Sequence, residues 1–388
     1  MFQNFGRSTL ADLVGDWVVY RNLEPLDKRV PGLKNAGYRM GMTEEGIPRK
    51  LEKEYAKAAL WICEEARTVS GFKKAARELL LIGDTLVNDG TAHRNLLTLS
   101  GWEGSCFIGA DRMEQEPRHS MDEESNLYLA NRWSLLPDWL QTIRQQGLQL
   151  DASTIVIVDI DKTALGPKGR NDQVIDQARL EGIFRTMDSV LGERFDRNRF
   201  VRHYSELNRA RYHFLTADNQ DYLAYICLIL NADLIDFDEL SSEIEAKNLE
   251  NFDQFLRWVD SLMMRKVAPG DELREVHEAI QASVRNGDPT PFKRFRRQEF
   301  VSTLEHMGSL PDGAAVETLL RDEITLCEEV WQAASWLKER GCFLICMSDK
   351  PDEASRPGAR DAVQLSPIHR TATHRVGVDL RPTLKGIK

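Results

Sequence analysis

Residues 154–158, Thr154-Ile-Val-Ile-Val158, are apolar or β-branched at every position and run straight into Asp159-Ile-Asp161. The run is too short for a buried helix, and β-branched side chains favour extended backbone. A half-exposed strand would alternate apolar and polar residues. The absence of alternation means burial on both faces, as at the centre of a parallel sheet covered by helices. Two other runs have this form, Glu78-Leu-Leu-Leu-Ile-Gly83 and Cys342-Phe-Leu-Ile-Cys-Met347, and shorter candidates lie at Cys106–Gly109 and Val376–Leu380. Strands separated by helical stretches predict an α/β layered core.

Helical spacing begins at Pro48, with Leu51, Tyr55, Ala58, Ala59 and Ile62 three and four apart. A short helix is expected over Gly71–Arg77 and another over Asn126–Gln146. From about Gly169 to 330 the chain reads almost wholly as helices, at Gln173–Leu191, Gln220–Asn231, Ser241–Arg265 and Asp271–Asn286. A longer helix over Glu317–Arg340 closes at Gly341. The expected organisation is a core from residues 1–168 and 331–388 with a helical insertion over 169–330. Residues 1 to about 45 carry prolines and glycines without a clear period.

The chain has 388 residues, 42% of them hydrophobic, and a net charge of -10. A duplex binder usually carries a basic field, so nucleic acid is not an expected partner. The basic run Phe292–Arg297 reads as a solvated amphipathic helix face. The six cysteines form no CxxC pair and several lie in apolar runs, which favours buried thiols over disulfides or zinc. There is no basic start followed by an apolar segment and no membrane-length apolar run, so a soluble cytoplasmic protein is expected.

Polar residues cluster where the buried runs end, the place where open parallel sheets build their sites. Asp159 and Asp161, two apart on extended backbone, share a face. Like charges that close need a cation or a shared proton, and a magnesium ion, which prefers oxygen ligands, supplies the first. Asp84 and Asp89 follow the strand ending at Gly83, in the loop Asp84-Thr-Leu-Val-Asn88-Asp89-Gly90, and Ser348 follows the strand ending at Met347. Each group alone is also what an ordinary turn contains. Their joint occurrence is the signal.

Together these segments resemble the motifs of the haloacid dehalogenase-like superfamily. Asp159-Ile-Asp161-Lys-Thr163 matches its first motif, DxDxT after an apolar strand. The stretch Leu337–Gly341 through Ser348-Asp-Lys350-Pro351 looks like the second motif with its preceding helix, and Gly83-Asp84 to Asp89 looks like the fourth. The resemblance implies a Rossmann-like three-layer α/β/α core with a helical cap and a magnesium-dependent phosphatase acting on a phosphorylated small molecule. It makes Asp159 the nucleophile, Asp161 the general acid and base with its main-chain carbonyl on the metal, Thr163 a loop support beside substrate, and Ser348 the phosphoryl-orienting hydroxyl. It places Asp84 on the metal, with Asp89 as a second or outer ligand. The order departs from the family pattern, because the fourth motif precedes the first, and a circular permutation accounts for that. The third motif, a lysine before the fourth-motif strand, then falls between residues 46 and 60. There Lys50 fits best, with Lys53 and Arg49 as rivals and Lys350 a further one because it lies close to Ser348.

The insertion would supply substrate contacts from Arg199, Arg202, His203, Arg209 and Arg211, and the basic tail Pro367–Arg375 would lie beside the phosphate. A phosphotransferase or phosphomutase would use the same residues. A catalytically silent module binding a phosphorylated ligand is the alternative of another class. No GxxxxGK[ST] or GxGxxG loop accompanies a strand, so nucleotide-kinase and dinucleotide readings lack support. The substrate and oligomeric state are open.

Overall fold

The computed structural model describes residues 1–42, 46–122, 124–265, 270–358 and 364–387. The chain divides into two compact units, one from Met1–Ala178 with Thr303–Lys388 and one from Arg179–Ser302. The helical unit is thus narrower than the expected 169–330. Residues 303–330 belong with the strands.

The first unit is a mixed α/β fold with ten strands among the described residues: β1 (Gln3–Ser8), β2 (Val18–Val19), β3 (Glu78–Gly83), β4 (Glu103–Gly109), β5 (His119–Asp122), β6 (Leu127–Ala130), β7 (Thr154–Val158), β8 (Leu326–Cys327), β9 (Phe343–Met347) and β10 (Thr373–Gly377). Seven form one sheet in the order β2-β9-β7-β3-β4-β6-β5. All neighbours in it are parallel except β5 and β6. The three non-alternating runs are its centre, buried at every residue. Leu79, Leu81, Ile155, Ile157 and Ile345 face helices α1 (Lys53–Val69) and α2 (Thr91–Ser100). Helices α3 (Leu136–Gln145) and α4 (Glu328–Glu339) pack on the opposite face. There Phe107 of β4 meets Trp139 of α3 at 5.6 Å between ring centroids. Alternation of side chains across the sheet gives each face its own apolar layer.

A second, three-stranded sheet runs β1-β10-β8. Its antiparallel pair joins the two ends of the chain, with Gln3 opposite Gly377 and Ser8 opposite Thr373.

Several elements differ from the sequence reading. Residues 49–52 form a turn, closed by Glu52 N–H on Arg49 O at 2.8 Å, in which Lys50 is buried, and helix α1 starts only at Lys53. Gly71–Arg77 is not helical. Gly71 has φ +81°, and the Arg67 guanidinium holds the Lys74 and Ala152 carbonyls at 2.6 and 2.9 Å, fixing the segment as a loop. The expected helix over 126–146 begins with β6, whose backbone is claimed by β4, and becomes α-helical only at Leu136. The stretch 317–340 breaks at β8, where Thr325 N–H donates to the Asn171 side chain.

The second unit is helical, with Arg197–Leu207, Gln220–Asn231, Phe237–Glu245, Phe252–Arg265 and Asp271–Arg285 around an apolar centre. Ser241–Arg265 is therefore two helices rather than one. The basic run 292–297 is amphipathic, with Arg297 exposed and Lys293 and Arg294 partly so, but Arg296 departs from the solvated side. Phe292 and Phe295 are core residues, and buried Arg296 pairs with Asp221 and Glu299, both at 2.6 Å. No helix among the described residues is long and apolar enough to cross a membrane. All six cysteines are buried and free.

Candidate metal and phosphoryl-transfer site

The register of the central strands decides where their polar ends fall. Ile82 lies opposite Val158, and Val158 opposite Cys346. Asp84, Asp159 and Ser348 therefore emerge at the same, carboxyl edge of three adjacent parallel strands, although they are far apart in sequence. Asp159 N–H still donates to Ile82 O at 2.9 Å, so the aspartate is anchored by the sheet itself.

Asp89 reaches the same point by a wide turn, Leu86–Gly90, closed by the Asp89 and Gly90 amides on Thr85 O. Its carboxylate accepts from the Asp84 and Thr85 amides at 3.2 and 3.0 Å. Gly83 makes this possible. A β-carbon there would sit 2.5 Å from the Asp89 carboxyl carbon. Glycine is needed here for close approach.

Lys50 sits between these groups. Its Nζ donates to Asp89 Oδ1 at 2.7 Å and to Asp159 Oδ1 at 2.6 Å, with all three side chains almost wholly buried. Arg21, just past β2, holds the Lys50 segment in place through the Pro48 carbonyl at 3.0 Å and Asp349 at 3.1 Å. Of the rivals, Lys53 and Arg49 are exposed. Lys350 is buried, but its Nζ lies 3.6 Å from Asp161 Oδ1 rather than against Asp159.

Carboxylate oxygens of Asp84, Asp89 and Asp159 all lie within 4.8 Å of one another, the one such cluster of acidic, histidine or cysteine side chains among the described residues. Burial pushes the Asp159 carboxyl well above the usual carboxylate range; Lys50 opposes this, and Asp89 and Asp84 add to it. Burial also raises Asp84, with Asp89 adding and Lys168 opposing. Burial pulls Lys50 down, but the two carboxylates outweigh it and hold it well above an ordinary lysine. Three crowded carboxylates, two bridged by Lys50 and the third paired with Lys168, are an oxygen-donor set that a hard divalent cation fits.

Ser348 is buried. Its N–H donates to Val19 O at 2.9 Å and its Oγ accepts from Lys350 N–H at 3.2 Å, which leaves the hydroxyl hydrogen for another acceptor. Asp161 is partly exposed and outside the three-carboxylate cluster. Thr163 is fully buried, with no hydrogen-bond partner for Oγ1 among the described residues, and belongs to the loop rather than to an open surface.

Other expectations find different places. Arg202 and His203 lie on the helix Arg197–Leu207 of the helical unit. There burial, then Arg199 and Arg202, lower the His203 imidazole below its usual range. Arg199 is engaged by Asp233 at 2.6 Å, and Arg209 and Arg211 by Glu206. In the tail, His369 and Arg370 bind Asp16 at 3.0 and 2.6 Å, and His374 binds Glu323 at 2.7 Å. That segment thus serves ion pairs of the core and not a phosphate. The residue the sequence did not single out is Lys168, whose Nζ donates to the Asp84 carbonyl at 2.9 Å and carboxylate at 3.0 Å. It lies in no motif, and its partner is 84 residues away in sequence. No protein family, curated protein or solved structure matches this chain.

Proposed function

We propose that the protein is a magnesium-dependent phosphohydrolase of the haloacid dehalogenase-like kind, circularly permuted, acting on a phosphorylated small molecule. The observation that carries this reading is the junction of Lys50 with both Asp89 and Asp159 inside a cluster completed by Asp84. Four residues from three separate stretches meet at one sheet edge in the arrangement the resemblance implies. The pairing of β1 with β10 supports the permutation, because ends that lie together can be rejoined elsewhere without disturbing the sheet.

Asp84, Asp89 and Asp159 would hold the magnesium ion, which neutralises charge on the phosphoryl oxygens when bound. An Asp159 oxygen attacks phosphorus in line. The bond from phosphorus to the leaving oxygen breaks, and Asp161 gives that oxygen its proton. Asp161, now ionised, takes a proton from water as the water oxygen attacks the aspartyl-phosphate. The acyl-phosphate bond breaks, phosphate leaves and both aspartates are restored. Lys50 orients Asp159 and offsets charge, and Ser348 donates to a phosphoryl oxygen.

The test is phosphate release from a panel of phosphate esters with magnesium, with chelator, and with Asp159→Asn. Wild type is expected to release phosphate only with the metal, and the variant to lose at least about 10³-fold while its circular dichroism is unchanged. A folded Asp159→Asn protein that retains turnover contradicts the reading.

A further inference from the structure

A cavity of about 670 Å³ opens beside Asp84, in the size range of small-molecule sites. Asp84 and Lys168 form the wall it shares with the site above. Ile108 and Leu129, near the carboxyl ends of β4 and β6, give it an apolar lining. Arg112 and Arg118 line it as well. Neither guanidinium has an ion-pair or hydrogen-bond partner among the described residues.

These arginines are not on a loose loop. Asn131 accepts from Arg118 N–H at 2.7 Å through its side chain and from Arg112 N–H at 3.1 Å through its carbonyl, and it donates to the Glu116 carbonyl at 2.8 Å. Arg132 donates to the carbonyls of Arg112 and Gln115. Both Asn131 and Arg132 are buried. Two buried polar side chains are thus spent on the loop's carbonyls and amides, which fixes the backbone of both arginines where they line the cavity. Guanidinium forks recognise carboxylates and phosphates through paired charge-assisted hydrogen bonds.

We propose that this cavity receives the body of the phosphate ester and that Arg112 and Arg118 hold a second anionic group on it, a carboxylate or another phosphate. The substrates are then small phosphorylated acids or bisphosphates rather than neutral sugar or alcohol monophosphates. This rests on the phosphohydrolase reading for the position of the scissile phosphate, and on the cavity alone for the second anion.

The test compares kcat/KM within two pairs: 3-phosphoglycerate against glycerol 3-phosphate, and fructose 1,6-bisphosphate against fructose 6-phosphate. The first pair probes a carboxylate and the second a phosphate. Wild type is expected to favour the more anionic member of at least one pair by about tenfold or more. Arg112→Ala/Arg118→Ala should bring that ratio toward one, mainly through KM, and the double lysine variant should restore part of it. Arg321→Ala, an exposed charge that does not line the cavity, should leave it unchanged. A ratio near one in wild type for both pairs, or a ratio the double alanine variant keeps, overturns the proposal. If no ester is hydrolysed, the phosphohydrolase reading fails and calorimetric binding of 3-phosphoglycerate and fructose 1,6-bisphosphate tests the cavity by itself. Binding abolished in the folded double alanine variant upholds it, and absence of binding to wild type overturns it.

Discussion

Buried carboxylates exist in this protein in two conditions. Glu323 accepts from the Leu310 and His374 amides, the Thr373 hydroxyl and His374 Nδ1, and Glu329 takes two bonds from Arg170 and one from the Val378 amide. These groups are matched by donors and belong to the architecture. Asp84, Asp89 and Asp159 also have donors, but their carboxylates are crowded against one another as well, and that crowding separates a site from a brace. Burial raises Glu323, but its donors outweigh burial and hold it below its ordinary value of 4.5. A carboxyl depressed on folding stabilises the protein above its unfolded pKa, and that contribution fades as pH falls through the folded one. Glu323→Gln should cost about 2–4 kcal/mol at neutral pH and flatten the loss of stability on acidification below about pH 4.5. Urea denaturation between pH 7 and 3 checks it; parallel pH curves for variant and wild type would show that Glu323 is not the linked group. At this scale the edge positions of Asp159, Asp84 and Ser348 are legible because each follows directly on a buried run, whereas Asp161, two residues further, falls outside the three-carboxylate cluster. Lys50 had no such mark, since a lysine ahead of an amphipathic helix looks like any other, and it was placed by resemblance. Lys168 had none either, because its partner Asp84 is distant in sequence.

Elements were legible where burial was complete on both faces and obscure where tertiary bonds overrode local pattern. Runs at β3, β7 and β9 are apolar without alternation, so only one role suited them. Residues Leu127–Ala130 continue the apolar spacing of the following helix, and only pairing with β4 makes them β6. The helices of the second unit show the same balance between local preference and packing. Gly182 lies within the helix Asp172–Leu191, where alanine would ordinarily help by about 1 kcal/mol. A β-carbon at Gly182 would lie 2.5 Å from Glu299 N and 2.6 Å from Glu299 Cα, which are backbone atoms of the helix Lys293–Glu305. Gly182→Ala is therefore expected to destabilise by about 1–3 kcal/mol despite its better propensity. A thermal melt at or above the wild-type midpoint would mean the crossing is looser than described.

For the whole molecule the decisive relation is between chain order and sheet order. Along the chain the site residues run Lys50, Asp84, Asp159, Ser348. Across the sheet β9, β7 and β3 stand side by side, and the two ends of the chain meet in β1 and β10. Gln146–Gly147 is an exposed turn after α3, with Gly147 at φ +107°. Opening the chain there and joining the present ends through about six glycine and serine residues should give a protein with unchanged circular dichroism and magnesium-dependent phosphatase activity. Such a chain presents the site residues in the order Asp159, Ser348, Lys50, Asp84. A permutant that fails to fold would show that the present order is required by the fold and is not a relinking of it.

The covalent state of Asp159 during turnover tests the central claim most directly. Protein mixed with p-nitrophenyl phosphate and magnesium, quenched in acid, digested and read by mass spectrometry should carry one phosphoryl group on the peptide containing Asp159. The label should build up in Asp161→Asn, because a good leaving group needs little help while the second step still needs a base, and it should be absent in Asp159→Asn. Turnover with no phosphoryl group on Asp159, or with one on another residue, would contradict the account.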